Sequence, residues 1–364
     1  MALSCGIVGL PNVGKSTIFN ALTRSAQALA ANYPFATIEP NVGEVPVPDE
    51  RLDVLAELEH SERIVPATVR FVDIAGLVRG ASSGQGLGNA FLSHIRETDA
   101  IAMVVRCFRD ENVTHVEGTA DPGRDIEIVG IELALADLTT LQKRVDKLAR
   151  EARANPKMRP KVAATENLIV ALEQGRPARS FAPESVEREV AAESFLLTAK
   201  PLLYVANVDE EQLVQPGPLV EAVEAIAKAE GSRVVVLCGK VEAELAGLSA
   251  AEAKEFRTEM GIERSGLDRL AASAYDALGL MTFLTAGPKE SRAWTIERGT
   301  KAPQAAGKIH SDIERGFIRA EIVDYADYVR YKTMDALRAA GKVRSEGKDY
   351  VMQEGDVVNF RFNV

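Results

Sequence analysis

The stretch that decides the fold of this chain is Gly9-Leu10-Pro11-Asn12-Val13-Gly14-Lys15-Ser16-Thr17. It fits the phosphate-binding pattern G-x-x-x-x-G-K-[ST] at every defined position. A short apolar run at residues 5–8 predicts a buried strand before the loop, and residues 16–22 carry apolar side chains at helical spacing. Such a strand fixes the loop, and the start of the helix directs backbone amides toward anionic oxygens. The sequence therefore predicts a site for the phosphates of a nucleotide.

Each position of this loop has a physical role. Gly9 and Gly14 let the backbone curl around a β-phosphate without a Cβ clash. Lys15 supplies a cation toward the β and γ oxygens, and the Ser16 hydroxyl can ligate Mg²⁺. We expect nucleotide contacts from six consecutive residues, of which the lysine also serves catalysis: Asn12, Val13, Gly14, Lys15, Ser16 and Thr17.

Length, charge and cysteine usage limit the class of protein. The 364 residues suffice for two or three domains, and their composition is that of a soluble globular protein. A formal net charge of −10 argues against a general nucleic-acid coat protein, although one element could carry a basic patch. Cys5, Cys107 and Cys238 are too widely separated for a disulfide framework or a metal site. There is no signal-peptide pattern and no apolar run of about 20 residues. We expect a cytoplasmic protein whose partners include neither a membrane nor sequence-specific DNA.

Two later stretches carry residues that would face the phosphates and Mg²⁺. Residues 32–41 are polar and contain prolines, which is typical of an exposed loop, and the Thr37 hydroxyl there could reach the metal. The alternative is a turn threonine without a ligand. Residues 69–76 read as a strand ending in Asp-x-x-Gly. In that arrangement Asp73 would hold the Mg²⁺ shell, usually through water, and the Gly76 amide would sense the γ-phosphate.

The residue that handles the attacking water is less evident. Many nucleotide switches carry a water-positioning Gln directly after the glycine, but this chain has Leu77, which can neither orient nor deprotonate water. A glycine-rich run at residues 80–88 follows and could order over a triphosphate. His115 lies in a polar loop after the predicted strand at residues 101–106 and could position water. A solvated loop histidine is the alternative.

From residue 125 to about residue 200 the sequence is rich in Ala, Leu, Glu, Lys and Arg. Apolar residues recur there at steps of three or four, which predicts an antiparallel or paired coiled coil: Ile131, Leu135, Leu138, Leu141, Val145, Leu148 and Ala152. Asn155-Pro156 ends this helix, and two further helical stretches follow. The segment between residues 143 and 161 carries eight basic residues against two acidic ones. They form either a solvated helical face or a surface that contacts phosphates.

The chain then returns to alternating strands and helices. A buried strand at residues 202–207 leads into the tetrad Asn207-Val208-Asp209-Glu210, where guanine-reading switch proteins carry Asn-Lys-x-Asp. Val208 replaces the lysine that lies along the base, and Glu210 is longer than aspartate by one methylene. This departure puts a preference for GTP in doubt, although Asp209 or Glu210 could still accept from guanine. We expect base-side contacts from Asn207, Val208, Glu210 and Gly239, the last of which follows the strand at residues 233–238.

With these elements located, the sequence resembles the YchF subfamily of Obg-related P-loop NTPases, also called Obg-like ATPases. The resemblance covers essentially the whole chain, from the phosphate loop through the tetrad to a C-terminal TGS-like domain recognised at residues 278–283 and 305–317. It implies an α/β P-loop NTPase (G-domain) fold with a mainly parallel sheet, a helical coiled-coil insertion and an α+β, β-grasp-like TGS domain. The implied domains are a nucleotide-binding domain at residues 1–124 and 201–279, the insertion at residues 125–200 and the TGS-like domain at residues 280–364.

The resemblance also implies an activity. Such proteins are slow Mg²⁺-dependent ATPases that prefer ATP over GTP, and their nucleotide state would control docking on the ribosome, either the large subunit or the 70S particle. Leu77 fits their hydrophobic replacement of the catalytic Gln, and His115 lies where a histidine has been proposed to act instead. Asn12 occupies the position where some related enzymes bind K⁺. Two alternatives remain open, a translation-associated GTPase and a ribonucleoprotein-binding scaffold in which nucleotide is structural.

Overall fold

The computed structural model describes residues 3–30, 41–74, 87–110, 113, 116 and 118–363. These residues form two compact units. The described part of the first unit falls within residues 1–28, 37–43 and 70–274, and that of the second within residues 29–36, 44–69 and 275–364. No helix in the described part is long and apolar enough to cross a membrane.

Twelve strands occur in the described residues: β1 (Ser4–Val8), β2 (Val42–Pro46), β3 (Ile64–Val65), β4 (Thr68–Asp73), β5 (Ala100–Arg106), β6 (Leu202–Asn207), β7 (Arg233–Leu237), β8 (Leu280–Thr285), β9 (Ser291–Glu297), β10 (Phe317–Val323), β11 (Arg344–Glu346) and β12 (Val357–Phe362). The same residues form fourteen α-helices: α1 (Lys15–Ala30), α2 (Glu50–Glu59), α3 (Leu87–Arg96), α4 (Pro122–Ala154), α5 (Arg159–Glu173), α6 (Val186–Glu193), α7 (Pro218–Glu230), α8 (Gly239–Leu245), α9 (Ala250–Glu259), α10 (Gly266–Ala277), α11 (Ala302–Ile309), α12 (Ser311–Arg315), α13 (Tyr325–Tyr331) and α14 (Met334–Ala339).

The first sheet has the strand order β2-β4-β1-β5-β6-β7, and its neighbours from β4 to β7 pair in parallel. Every residue of β1, β5 and β6 is buried, as expected for parallel strands covered on both faces. Parallel pairing brings the carboxyl ends of these strands to one edge, so the phosphate loop, Asp73, Arg106 and Asn207 all lie there. This arrangement confirms the predicted P-loop NTPase fold.

The helical insertion is built around α4, whose first turn is capped by the Asp121 side chain accepting from the Arg124 amide. Helix α4 ends at Ala154, with Asn155 as its C-cap. Helix α5 returns along α4, and Leu141 of α4 and Leu168 of α5 lie in one buried cluster. The predicted seam holds for this second half of α4 but is wrong for the first, where Ile131 is 49% and Leu135 is 44% exposed. The first half instead packs against β5 and α7, which requires a different face of the helix to be buried.

The second unit contains a mixed sheet in the order β11-β10-β12-β8-β9-β3. Strands β8 and β9 form an antiparallel pair, β10 pairs antiparallel with both β11 and β12, and β12 pairs in parallel with β8. Its core packs Phe283 against the Trp294 and Phe360 rings, beneath the alanines of α11. The unit therefore has the α+β arrangement expected for the C-terminal domain.

One segment groups differently from the predicted domain boundaries. Residues 44–69, assigned from the sequence to the nucleotide domain, belong to the second unit. There β3 pairs with β9, Arg51 forms an ion pair with Glu354 at 2.6 Å, and the Tyr328 hydroxyl donates to Glu59 at 2.5 Å. These contacts join residues that are more than 200 positions apart in the sequence, so no local pattern could reveal them. The remaining domain boundaries stay a prediction.

Candidate nucleotide-binding site

The phosphate loop connects β1 to α1 and uses positive φ angles at three positions. They are 151° at Gly9, 61° at Asn12 and 96° at Gly14. A Cβ on Gly9 would lie 2.5 Å from the Val104 carbonyl oxygen, and one on Gly14 would lie 2.2 Å from the Asn207 amide nitrogen. Glycine is thus required at both motif positions for packing as well as for backbone freedom.

The Lys15 side chain is drawn into the curve of the loop. It is only 7% exposed, and its Nζ donates to the Leu10 carbonyl at 2.7 Å. Burial lowers the pKa of Lys15 to about 8, while the nearby Asp73 carboxylate acts in the opposite direction. Burial also raises the pKa of Asp73, and the charge of Lys15 opposes that shift. A polyanion beside this buried amine would favour its charged form, as a phosphate site needs.

The oxygen donors expected for Mg²⁺ come from the same edge of the sheet. Ser16 is exposed in the first turn of α1, and Asp73 is half-buried at the end of β4, level with Ile7 of β1. One hydroxyl and one carboxylate suit a small hard cation that completes its shell with phosphate oxygens and water. Among the described residues no group of three or more His, Cys, Asp or Glu side chains could hold a metal. The donor set therefore fits Mg²⁺ bound together with a nucleotide.

Asn207 joins the phosphate loop to the base side of the site. It is 5% exposed, its Nδ2 donates to the Val13 carbonyl at 2.9 Å, and its Oδ1 accepts from the Gly239 amide at 2.9 Å. A single buried amide thus links the phosphate loop at Val13 to the start of α8 at Gly239.

The remaining tetrad side chains are held by neighbours. Val208 is 2% exposed, so an apolar side chain is buried where guanine readers place a lysine. The Asp209 carboxylate accepts from both the backbone amide of Gln212, at 3.2 Å, and its side-chain amide, at 2.7 Å. The Glu210 carboxylate accepts from Lys240 Nζ at 2.9 Å. Both acidic side chains are therefore already engaged within the protein.

These elements enclose a cavity of about 1000 Å³. Its lining comes from four stretches, which are the phosphate loop, the loop after β5, the tetrad and the start of α8. Asn12, Gly14 and Thr17 lie on the phosphate side, and Val208, Glu210 and Gly239 lie on the base side. The structure therefore brings together most of the residues that the sequence predicted for nucleotide contact.

Comparison with known proteins gives a consistent family. A protein named "Ribosome-binding ATPase YchF" from Bacillus subtilis (strain 168) is 51% identical over 371 residues, covering all of both chains. One of the same name from Escherichia coli O157:H7 is 50% identical over 365 residues, again covering both chains fully. This chain belongs to the YchF family.

Family models and solved structures agree with this assignment. A model described as "50S ribosome-binding GTPase" matches residues 4–153, and the model for the C-terminal domain of YchF GTPases, described as a protein of unknown function, matches residues 280–363. The structure of the Schizosaccharomyces pombe YchF GTPase is 41% identical, with a TM-score of 0.89 and coverage of 99% of this chain and 97% of that one. A GTP-binding protein from Pyrococcus horikoshii OT3 shares the fold at a TM-score of 0.61 and 20% identity, over 99% of this chain and 100% of that one.

Four residues singled out in the sequence lie outside the described residues. They are Thr37, Gly76, Leu77 and His115. The roles predicted for them in Mg²⁺ binding, in sensing the γ-phosphate and in positioning water stay predictions.

One residue of the site was missed by sequence reasoning. Arg106 ends β5 and is 3% exposed, and its three guanidinium nitrogens donate to the carbonyls of Phe108 at 3.3 Å, Asp110 at 3.2 Å and Val113 at 2.9 Å. Its guanidinium carbon also lies 4.4 Å from the centroid of the Phe108 ring. Phe108, Asp110 and Val113 line the cavity, so Arg106 shapes one wall without lining it. The available signal was a charged residue closing an otherwise apolar strand.

Proposed function

We propose that this protein is a Mg²⁺-dependent P-loop ATPase of the cytoplasm that binds the ribosome and changes its affinity with the bound nucleotide. The proposal is supported by the phosphate loop, by the cavity beside it and by full-length relatives named as ribosome-binding ATPases. Half of the residues at aligned positions are shared with those relatives along the whole chain.

The observation that carries the choice of ATP over GTP is the engagement of both tetrad carboxylates. A guanine reader needs a carboxylate that accepts from the ring NH and the exocyclic amine together. Here Asp209 accepts twice from Gln212, and Glu210 accepts from Lys240. Adenine has no ring NH at the corresponding position and makes no such demand. Guanine would have to displace existing partners, and this cost favours ATP.

The predicted site residues would have separate roles in hydrolysis. Lys15 would bind the β and γ oxygens, and the Gly76 amide would contact the γ-phosphate. Ser16, Asp73 and Thr37 would hold Mg²⁺, which when bound neutralises charge on the β and γ oxygens. His115 would orient the attacking water, because Leu77 has no group that can do so.

GTP is the second candidate substrate. It is favoured by the solved S. pombe relative, which is named a YchF GTPase, and by the family model described as a GTPase. The two candidates differ in base choice alone, so comparing kcat/KM for ATP and GTP separates them. A higher kcat/KM for GTP would replace the first proposal with the second.

The partner proposed for this chain is the ribosome, through its large subunit or the assembled 70S particle. The support is the relatives' name and the family description, which specifies the 50S subunit. Basic side chains of the insertion give a local positive charge on an otherwise acidic protein. On α4, no carboxylate among the described residues pairs with Lys143, Arg150 or Arg153.

Lys15→Ala tests both halves of this function. The variant should lose ATP hydrolysis by more than about a hundredfold, since the buried cation contacts the transferred phosphoryl group. Its co-sedimentation with purified ribosomes should no longer differ between ATP and ADP. Lys289→Ala, an exposed lysine of the second unit, serves as the matched control and should behave like the unmodified protein.

Two results would contradict the proposal. If Lys15→Ala abolished hydrolysis but left nucleotide-dependent ribosome binding unchanged, the protein would be a scaffold in which hydrolysis is incidental. If the unmodified protein did not sediment with ribosomes in any nucleotide state, the partner would be wrong.

A further part of the proposal concerns K⁺ at Asn12. The positive φ angle of Asn12 places this residue at the curve of the phosphate loop, beside the cavity. A monovalent cation there would add positive charge near the leaving phosphate. Hydrolysis should then be faster in K⁺ than in Na⁺ at equal ionic strength, and equal rates would contradict a K⁺ site at Asn12.

A further inference from the structure

A second cavity, distinct from the nucleotide site, separates α3 from the helical insertion. It measures about 640 Å³ and is lined by Leu92 and Arg96 of α3, by one face of α4, and by Glu193 and Ser194 at the end of α6. We call it the α3–α4 cleft. All of its lining residues belong to the first unit.

The cleft is strongly basic. Among the described residues its lining contains four cationic side chains and one carboxylate: Arg96, Lys143, Arg144, Lys147 and Glu193. The carboxylate is already neutralised, because Glu193 accepts from Arg144 and, at 2.6 Å, from Lys161. Lys143 is exposed and has no acidic partner in the described part of the chain, and Lys147 is 78% exposed with only a long 3.9 Å contact to Glu151. The cleft therefore offers free positive charge on a protein of net charge −10.

The spacing of the cationic side chains on α4 fits the phosphodiester backbone of a nucleic acid. Lys143 and Lys147 are one helical turn apart, so their Cβ atoms are about 5–6 Å from each other and both ammonium groups can follow one strand. Ammonium and guanidinium groups bind backbone phosphates without reading the bases. The cleft has few apolar side chains with which to anchor a folded protein surface.

Helix α3, which forms one wall of the cleft, follows in the sequence the residues predicted to contact Mg²⁺ and the γ-phosphate at positions 73–76. This helix begins at Leu87, within the glycine-rich run at residues 80–88 that could order over a triphosphate. Its last residue, Arg96, donates to the Thr140 hydroxyl of α4 at 3.3 Å, and its carbonyl accepts from Lys200 at 3.2 Å. A shift of α3 on nucleotide exchange would therefore change the position of Arg96 against the lysines of α4.

From these contacts we propose that the α3–α4 cleft binds the phosphate backbone of ribosomal RNA and that the Arg96–Thr140 contact makes this binding depend on the nucleotide. The inference rests on the proposed ribosome-binding function and adds to it a specific surface and a route from the nucleotide to the partner. Binding here would be independent of RNA sequence and sensitive to salt.

Two double variants with equal charge change test the surface. The cleft variant is Lys143→Ala with Lys147→Ala, and the control at the tip of the insertion is Lys157→Ala with Arg159→Ala. Both are titrated in full-length protein with a short fluorescent oligouridylate and with purified ribosomes, in the presence of a non-hydrolysable ATP analogue. We expect the cleft variant to lose at least about tenfold in affinity for both probes and about 1.4 in the slope of log K against log salt, as for two lost single-strand phosphate contacts. The tip variant should stay within about twofold.

A third variant tests the route from the nucleotide. Thr140→Val keeps the shape of the side chain but removes the acceptor of the Arg96 hydrogen bond. It should leave ATP affinity unchanged while bringing the ratio of ribosome affinities in the ATP-analogue and ADP states close to one.

The possible outcomes distinguish a failure of the proposed cleft from a failure of the proposed ribosome-binding function. Absence of ribosome binding by the unmodified protein would contradict the proposed function itself. With that binding intact, an equal or larger loss in the tip variant would overturn the cleft. A loss of ribosome binding without a loss of oligouridylate binding would mean that the cleft contacts a ribosomal protein and not RNA. An unchanged nucleotide ratio in Thr140→Val would overturn the proposed route.

Discussion

The two sides of the nucleotide cavity are constructed differently. The phosphate side is a single continuous loop whose conformation follows from Gly9, Gly14 and the buried Lys15. The base side is assembled from separate parts of the chain, which are the loop after β5, the tetrad after β6 and the start of α8. The Arg106 side chain holds the loop after β5, and Asn207 holds the start of α8. Gln212 and Lys240 hold the two tetrad carboxylates.

This difference shows where specificity can change without loss of the fold. Every nucleoside triphosphate presents the same phosphates, so the continuous loop needs little variation. The base side depends on contacts such as those of Gln212 with Asp209 and of Lys240 with Glu210, which can be altered one at a time. Substitutions on the two sides should therefore have different effects on ATP, GTP and tripolyphosphate.

The largest effect is expected from Asn207→Ala, because Asn207 connects the two sides. Its loss leaves the Val13 carbonyl and the Gly239 amide without a partner in a buried position. At about 1–3 kcal/mol for each such group, binding of ATP and GTP should both weaken by about a hundredfold. Equilibrium titration with fluorescent nucleotides measures this, with thermal unfolding to verify the fold. A loss below about threefold would mean that the two sides are independent.

An intermediate effect is expected from Arg106→Lys. An ammonium cannot hold the carbonyls of Phe108, Asp110 and Val113 together or stack on the Phe108 ring as a guanidinium does. Loss of about 1.4 kcal/mol should weaken ATP binding about tenfold. Calorimetric titration with Mg²⁺-tripolyphosphate should show no change, because the phosphate loop is untouched. Equal loss for both ligands would show that Arg106 acts on the whole fold.

The smallest effect is expected from Lys240→Ala. The Lys240 and Glu210 side chains are 74% and 47% exposed, so water screens their ion pair and its contribution is small. Removing Lys240 frees the Glu210 carboxylate and should raise GTP affinity relative to ATP by up to about fivefold. Competition titration of the two nucleotides measures the ratio, and Lys289→Ala again provides the control. A shift of the ratio toward ATP would contradict the role assigned to this pair.

The difference between the phosphate side and the base side also determines how much of the site could be predicted from the sequence. The phosphate loop is a contiguous motif with strict spacing, so its position, its flanking strand and helix, and the fold class followed from the sequence alone. The tetrad was located because it follows a buried strand at the expected place in the chain. The sequence could not predict that the tetrad carboxylates accept hydrogen bonds from Gln212 and Lys240. Neither residue belongs to a recognised motif, and the partners of both depend on side-chain direction.

Other features depended on contacts between distant parts of the chain. The clamp of Arg106 on three carbonyls needs the path of the following loop, which sequence spacing does not give. The heptad pattern of α4 correctly predicted burial at Leu141 and Leu148. It failed at Ile131 and Leu135 because packing against β5 and α7 selects another face of the same helix. The spacing of apolar residues predicts the presence of a helix more reliably than it predicts which face of that helix is buried.

We propose that the base side selects ATP while the phosphate side accepts any triphosphate. The most direct test is equilibrium competition of ATP and GTP for the Mg²⁺-loaded unmodified protein against a fluorescent nucleotide. We expect ATP to bind at least about tenfold more tightly than GTP, which corresponds to about 1.4 kcal/mol. Equal affinities, or tighter binding of GTP, would show that the tetrad still reads guanine despite its engaged carboxylates and would contradict selection of ATP by the base side.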